Sequence, residues 1–175
     1  MGNDLTVVTV VIRDKITSKY RVAYIDSWGK TDLMPTIGKI LPIIDKFNPV
    51  KIAIDATGVG SGVYSRLEEL KREGRIKANV SPFKGGLSPS REETKQRFLN
   101  AKAEAYWHLR KLFEDGKIQI PKSRELISQL SKMKWELTSS DKIRIRDPGT
   151  KEGDTAEEKS PDFSDSLNIA VWHVS

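Results

Sequence analysis

A chain of 175 residues with 30 Lys and Arg against 24 Asp and Glu carries a formal net charge of +6, and 37% of its residues are hydrophobic. At roughly 100–200 residues per domain, this suffices for one domain with a proper core, but not for a second catalytic module such as a motor. There is no cysteine, which excludes disulfide frameworks, thiol nucleophiles, iron–sulfur clusters and cysteine-based zinc sites. The longest apolar runs, Leu5 to Ile12 and Ile40 to Ile44, fall far short of the ~20 residues that span a bilayer. The Met1-Gly-Asn-Asp4 start lacks a basic leader, so a soluble chain without a signal peptide or membrane partner is expected.

Leu5 to Ile12 is β-branched and almost continuously apolar, which predicts a strand buried on both faces. Tyr20 to Trp28 follows a polar turn and completes a hairpin. From Asp32 to Phe47 the residues Leu33, Ile37, Ile40, Leu41 and Ile44 recur at helical spacing, with Pro35 near the start and Pro42 within. Val50 to Ile54 reads as a second strand, closed by Asp55 and a glycine-rich loop from Ala56 to Gly62. A helix from about Val63 to Arg72 comes next and stops near Gly74.

Lys77 to Phe83 predicts a further strand, and Lys84 to Ser90 a loop. The longest helix is expected from Arg91 to about Asp115, with Phe98, Ala101, Ala105, Leu109 and Leu112 on one face. After Gly116, Ile118 to Ile120 forms a short strand, Arg124 to Lys134 a helix, and residues 133–147 a second hairpin. Asp147 to Lys159 is charged and glycine-containing, as expected of a flexible loop. Ser160 suits the N-cap of a final helix and Pro161 its first position. Strands alternating with helices predict a single α/β domain over residues 1–175 with a mixed sheet.

Asp55 is the sharpest chemical signal, because it ends a strand just before a glycine-rich turn, where open α/β sheets bind ligands. Gly58-Val-Gly-Ser-Gly62 could present N–H groups to a phosphate. Its spacing is not that of a dinucleotide fingerprint, however, and a carboxylate ahead of it would repel phosphate unless a cation lay between. Gly29-Lys30-Thr31 resembles the end of an ATP-binding loop, but Tyr24 stands where the leading glycine belongs, so ATP binding is rejected there.

Asp162 and Asp165 lie three apart in the first turn of the last helix, near one face. Acids there also suit the helix dipole, which alone explains many such pairs. With Asp55 they make an all-carboxylate set of the kind that holds Mg²⁺ or Mn²⁺, and two such ions could support phosphodiester hydrolysis without His or Cys. His108 and His173 show no ligand spacing, and the four tryptophans are dispersed, so packing roles are expected for both histidines and for most of the tryptophans. Lys84 and Arg91, and Lys142 and Arg144 on the second hairpin, are solvated by default. Beside a phosphodiester site they become candidate phosphate contacts for DNA.

In this order, the elements resemble the C-terminal nuclease domain of tailed-phage large terminases, an RNase H-like domain. The carriers are Asn3-Asp-Leu-Thr-Val-Val8, Ile54-Asp-Ala-Thr-Gly-Val-Gly60, Phe98 to Tyr106, Gly116-Lys-Ile-Gln-Ile-Pro121 and Ser160-Pro-Asp-Phe-Ser-Asp-Ser-Leu167. The resemblance implies an RNase H-like α/β fold with a mixed central sheet flanked by helices, and a metal-dependent endonuclease that cuts double-stranded DNA with two ions of Mg²⁺ or Mn²⁺. It makes Asp55 and Asp162 two of three metal-holding acids and Asp165 a nearby fourth carboxylate. It further implies an ATPase motor domain of the same terminase, a portal and a small terminase subunit as partners, in the cytoplasm of an infected bacterial host.

In the family the first acid lies on a strand before a G-x-D-x-T turn. This sequence starts inside that turn, at Gly2-Asn-Asp-Leu-Thr6, so the first strand and its Asp are expected to be missing, and Asp4 matches only the turn acid. Two other readings stay open: a catalytically impaired nuclease-like module that binds DNA or packaging partners, and another RNase H-like nuclease such as a junction resolvase.

Overall fold

The computed structural model describes residues 5–29, 31–58, 60–146 and 160–175. β1 (Leu5–Arg13) and β2 (Tyr20–Gly29) form the expected antiparallel hairpin, in register from Leu5 against Gly29 to Arg13 against Tyr20, with a bulge between Val10 and Val11. The turn is set by Asp14, whose Oδ1 accepts from the amides of Ile16 and Thr17 at 2.8 and 2.7 Å. β5 (Ile118–Gln119) adds in parallel to the far edge of β2. β1 is half-buried along its middle rather than buried on both faces. The reason is its place: among the described residues β2 is its only ladder partner, and its other edge lines a cavity.

α1 (Leu33–Phe47) contains Pro42 and ends at Asn48, whose left-handed backbone (φ 44°) lets its amide return to the Ile44 carbonyl. β3 (Lys51–Asp55), α2 (Gly60–Arg72) and β4 (Asn79–Phe83) make one β-α-β unit, with β3 and β4 parallel and Asp55 level with Phe83. Strand alternation then decides the packing. Ile52 and Ile54 join the core of Ile37, Leu67 and Leu70 under α1 and α2, while Ala53 packs on the opposite side with Ile169.

The predicted long helix is shorter than expected. α3 (Ala101–Glu114) begins ten residues late, after a single 3-10 turn at Glu92–Thr94. Asn100 caps it by accepting from the Ala103 amide at 3.0 Å, and the bonds between Ile143 and both Arg97 and Leu99 hold Phe98 in a β-bridge just ahead of it. α4 (Arg124–Lys132) is capped by Ser123, and β6 (Lys134–Leu137) pairs with β7 (Ile143–Arg146) as the expected second hairpin. α5 (Asp162–Val174) closes the domain, with Pro161 rather than Ser160 at the N-cap. Leu167 and Val171 are fully buried against Tyr106, Leu109 and Leu126. The stretch read as a flexible loop, Asp147 to Lys159, lies outside the described residues, as does Asp4.

Among the described residues the central sheet is thus in two hydrogen-bonded halves, β1-β2-β5 and β3-β4, with the second hairpin apart. α5 bridges the halves. The Ser166 hydroxyl donates to the Val7 carbonyl at 3.1 Å, and Lys51 Nζ donates to the His173 carbonyl at 2.8 Å. No described helix is long and apolar enough to cross a membrane.

Candidate active site

Asp55 is placed by the tight join between β3 and α2. Its Oδ1 accepts from the Thr57 amide at 3.0 Å and from the Thr57 hydroxyl. Gly60 makes the join possible: a Cβ there would stand 1.7 Å from the Asp55 carbonyl oxygen. The helix starts inside the glycine-rich stretch, so the stretch is not the open phosphate cradle its composition allows. The Gly60 amide turns in to Thr57 O at 3.3 Å and the Ser61 amide to Gly58 O at 3.2 Å.

The Asp162 Oδ2 accepts from the Leu5 amide at 2.8 Å, and its Oδ1 from the Ser160 hydroxyl at 2.6 Å. Asp165, one turn on, accepts from the Tyr106 hydroxyl at 2.7 Å and pairs with Lys102 Nζ at 3.3 Å. Lys102 and Tyr106 were not singled out by sequence reasoning. Their i, i+4 spacing puts them on one face of α3, but only packing shows that this face meets the first turn of α5.

Asp55, Asp162 and Asp165 all line one cavity of about 580 Å³ between the sheet halves. Three carboxylates lining it suit a divalent cation such as Mg²⁺ in chemical kind. The fit in number falls short: among the described residues no three His, Cys, Asp or Glu side chains close into a metal-holding group.

Of the candidate DNA contacts, Lys84 follows Phe83 and so shares the sheet end that carries Asp55. Its loop abuts α3, where the Lys102 amide donates to Gly85 O at 3.0 Å. Lys142 and Arg144 sit on the second hairpin, which the Ile143 bonds hold beside the start of α3. The Arg144 guanidinium is paired with Glu136. Arg91 is exposed and its charge reaches His108. The histidines pack as expected, with His108 beside Tyr20 and Trp172 and His173 beside Phe83. Trp135 is the tryptophan of the second hairpin, 47% exposed and edge-on to Trp107.

A mixed sheet crossed by a closing helix, with acids at the helix start and at a neighbouring strand end, defines an RNase H-like α/β domain of the terminase nuclease type. The chain belongs to the terminase RNaseH-like domain family, whose sequence profile matches residues 1–173. It is similar in fold to the nuclease domain of the large terminase subunit gp2 of bacterial virus Sf6. That match has 14% identity and a TM-score of 0.68, over 98% of this chain and 89% of that one. A mutant of that domain with manganese matches at 16% identity and a TM-score of 0.69, over 98% and 89% of the two chains. The large terminase nuclease from thermophilic phage G20c with bound magnesium matches at 16% identity and a TM-score of 0.58, over 97% and 82%. Comparison with curated proteins finds no match.

Proposed function

We propose that this chain is the metal-dependent endonuclease domain of a viral DNA-packaging terminase, hydrolysing phosphodiester bonds of double-stranded DNA with two ions of Mg²⁺ or Mn²⁺. One observation carries the reading: in a chain of the terminase family, Asp55, Asp162 and Asp165 line a single cavity. The metal-bound domains of Sf6 and G20c support the choice of cation. Asp55 and Asp162 would hold the metal. Bound there, it would lower the pKa of an attacking water and stabilise the leaving oxygen.

This chain's own groups orient that set. Thr57 fixes the Asp55 carboxylate, and the Leu5 amide and Ser160 hydroxyl fix that of Asp162. Tyr106 and Lys102 hold Asp165. The candidate phosphate contacts are Lys84, Arg91, Lys142 and Arg144, and the partners are double-stranded DNA and the ATPase motor, portal and small subunit of a packaging terminase.

The test is plasmid cleavage with Mn²⁺, and the expected result is cutting that EDTA abolishes and that Asp55→Asn or Asp162→Asn lowers by at least about 100-fold. Cutting that survives both substitutions would sink the assignment. A second reading, a DNA- or partner-binding module without catalysis, is favoured by the lack, among the described residues, of any three His, Cys, Asp or Glu side chains grouped to hold a metal. Salt-sensitive duplex binding, with neither Mn²⁺ retention nor cleavage, would establish it.

A further inference from the structure

Residues 84–97 form a basic segment that packs no core of its own. Between Lys84 and Arg97 only Pro89 is buried, and the stretch carries two adjacent glycines, Gly85 and Gly86. Such a segment lacks an apolar anchor and would open at little cost unless hydrogen bonds held it. Its first tether is the start of α3. The Ala101 and Lys102 amides, which a helix leaves without acceptors of its own, donate to the carbonyls of Leu87 at 2.8 Å and Gly85 at 3.0 Å.

The second tether is Glu104, a carboxylate that the acidic site does not use. It is only 4% exposed. Burying a carboxylate is costly unless its oxygens are bonded, and here both are. One accepts from the Ser90 amide at 2.7 Å and the Ser90 hydroxyl at 3.0 Å, and the other accepts from the Thr94 hydroxyl. Bonds to a charged acceptor are the stronger kind, so one side chain secures both Ser90 and the 3-10 turn at Glu92–Thr94.

The segment so held starts beside the acidic site. It leaves β4 at Phe83, whose carbonyl accepts from the Ala56 amide at 2.9 Å just beyond Asp55. Gly85 then lies against α3: a Cβ there would stand 3.2 Å from Lys102 Cβ, and Lys102 Nζ pairs with Asp165 at 3.3 Å. At the far end the Arg97 guanidinium lies over Phe98 and Trp107, 5.3 and 4.9 Å from the ring centroids. Lys95 is paired with Glu92, whereas Lys84, Arg91 and Arg97 are exposed and form no ion pair among the described residues.

We propose that Glu104 is a positioning residue for duplex DNA: by tethering Ser90 and Thr94 to α3 it fixes where Lys84, Arg91 and Arg97 stand, so that these cations meet backbone phosphates without the cost of ordering the segment on binding. The tether stands on geometry alone, and its role in DNA binding rests on the function proposed above. Glu104 touches no reacting atom, so its loss acts on affinity and spares the metal site and the chemical step. The side-chain chemistry also predicts a rescue. Glu104→Gln keeps the oxygen that Ser90 needs, and its amide donates to the Thr94 hydroxyl, which in turn donates to the Arg91 carbonyl it already meets at 2.8 Å. Glu104→Ala keeps neither bond.

The test uses the 175-residue chain with Glu104→Ala, Glu104→Gln, or a Ser90→Ala, Thr94→Val double substitution that removes the hydroxyl donors and leaves Glu104 in place. Limited trypsin digestion, followed by mass, reads the tether without DNA or metal. In Glu104→Ala, cutting after Lys84, Arg91 and Lys95 should quicken about tenfold, with cutting after Lys117, beyond α3, unchanged. Affinity for a duplex of about 20 base pairs, measured without metal, should weaken about tenfold, and KM for Mn²⁺-dependent plasmid cleavage should rise with it. The kcat and the Mn²⁺ concentration for half-maximal cleavage should hold. Glu104→Gln should restore the parent values, and the double variant should repeat the Glu104→Ala result even where Glu104→Ala fails to fold. Unchanged trypsin rates, cutting that quickens throughout the double variant, or faster cutting in the segment at parent duplex affinity overturns the proposal. A parent whose duplex binding follows the tether but which cleaves nothing would refute the nuclease reading and leave this one standing.

Discussion

The amide of Leu5 donates to the Asp162 carboxylate at 2.8 Å across 157 residues of sequence. This bond ties the start of the first strand to the start of the last helix, and it places one candidate metal ligand against a sheet edge. Asp162→Asn keeps an oxygen acceptor for Leu5, whereas Asp162→Ala does not. Both should abolish Mn²⁺-dependent cleavage. Thermal unfolding should show the Ala variant to be the less stable, by about 1 kcal/mol.

Gly60 is a steric requirement of the site. Gly60→Ala puts a methyl group 1.7 Å from the Asp55 carbonyl oxygen, so the join between β3 and α2 must move. Chemical denaturation should report a loss of about 2–4 kcal/mol. A variant as stable as the parent would mean that the join relaxes freely and does not position Asp55.

Tyr106 is buried, and its hydroxyl bonds both Asp165 at 2.7 Å and Ser164 at 3.0 Å. Tyr106→Phe preserves the ring and removes both bonds. Stability should fall by about 1–2 kcal/mol. If Asp165 is a positioned ligand, the Mn²⁺ concentration for half-maximal cleavage should rise, an effect that loss of packing alone would not produce.

His108 and His173 are both held below the ordinary imidazole value of 6.5. Burial is the larger cause in each case, aided at His108 by the charges of Arg91 and Arg13. At His173 the Lys51 charge acts the same way, and the bond to the Ile169 carbonyl opposes it. The unfolded chain therefore binds protons that the folded chain does not. This contribution is complete above 6.5 and is lost as pH falls through the lower folded values. Tm should decline as pH falls below about 6.5, and a His108→Gln, His173→Gln double variant should flatten the decline.

Duplex binding should weaken steeply with salt, and Lys84→Ala should reduce the slope of log K against log salt by about 0.9 if Lys84 meets one phosphate. Arg144 is already paired with Glu136, so Arg144→Ala should change the slope less. Equal slopes for the two variants and the parent would remove both from the interface.

Much of the fold is legible in the sequence because it is locally determined. The β-branched run of β1, the helical periodicity of α1 and the turn before β2 each commit a short segment to one conformation through contacts within that segment. The longest predicted helix fails for the opposite reason. By sequence Arg91 to Leu99 joins the periodic face that starts at Phe98, but Ile143, more than forty positions away, binds Arg97 and Leu99 as a strand would, and this non-local pairing delays the helix. In the same way the glycine-rich stretch reads as a loop until the contact between Gly60 and the end of β3 shows where α2 starts.

The sequence by itself determined which chemistry is possible: no thiol, no histidine pair at ligand spacing, and carboxylates at a strand end and in a helix's first turn. It also carried the resemblance that the family match now establishes. Only the tertiary structure decided that those carboxylates share one cavity, that Lys102 and Tyr106 restrain Asp165, and that the sheet is divided beside them. Residue types fix what a group can bind, and spacing fixes its neighbours within a turn or a strand. The meeting of β1, β3 and α5 depends on burying apolar faces that lie more than a hundred residues apart, and no local pattern records it.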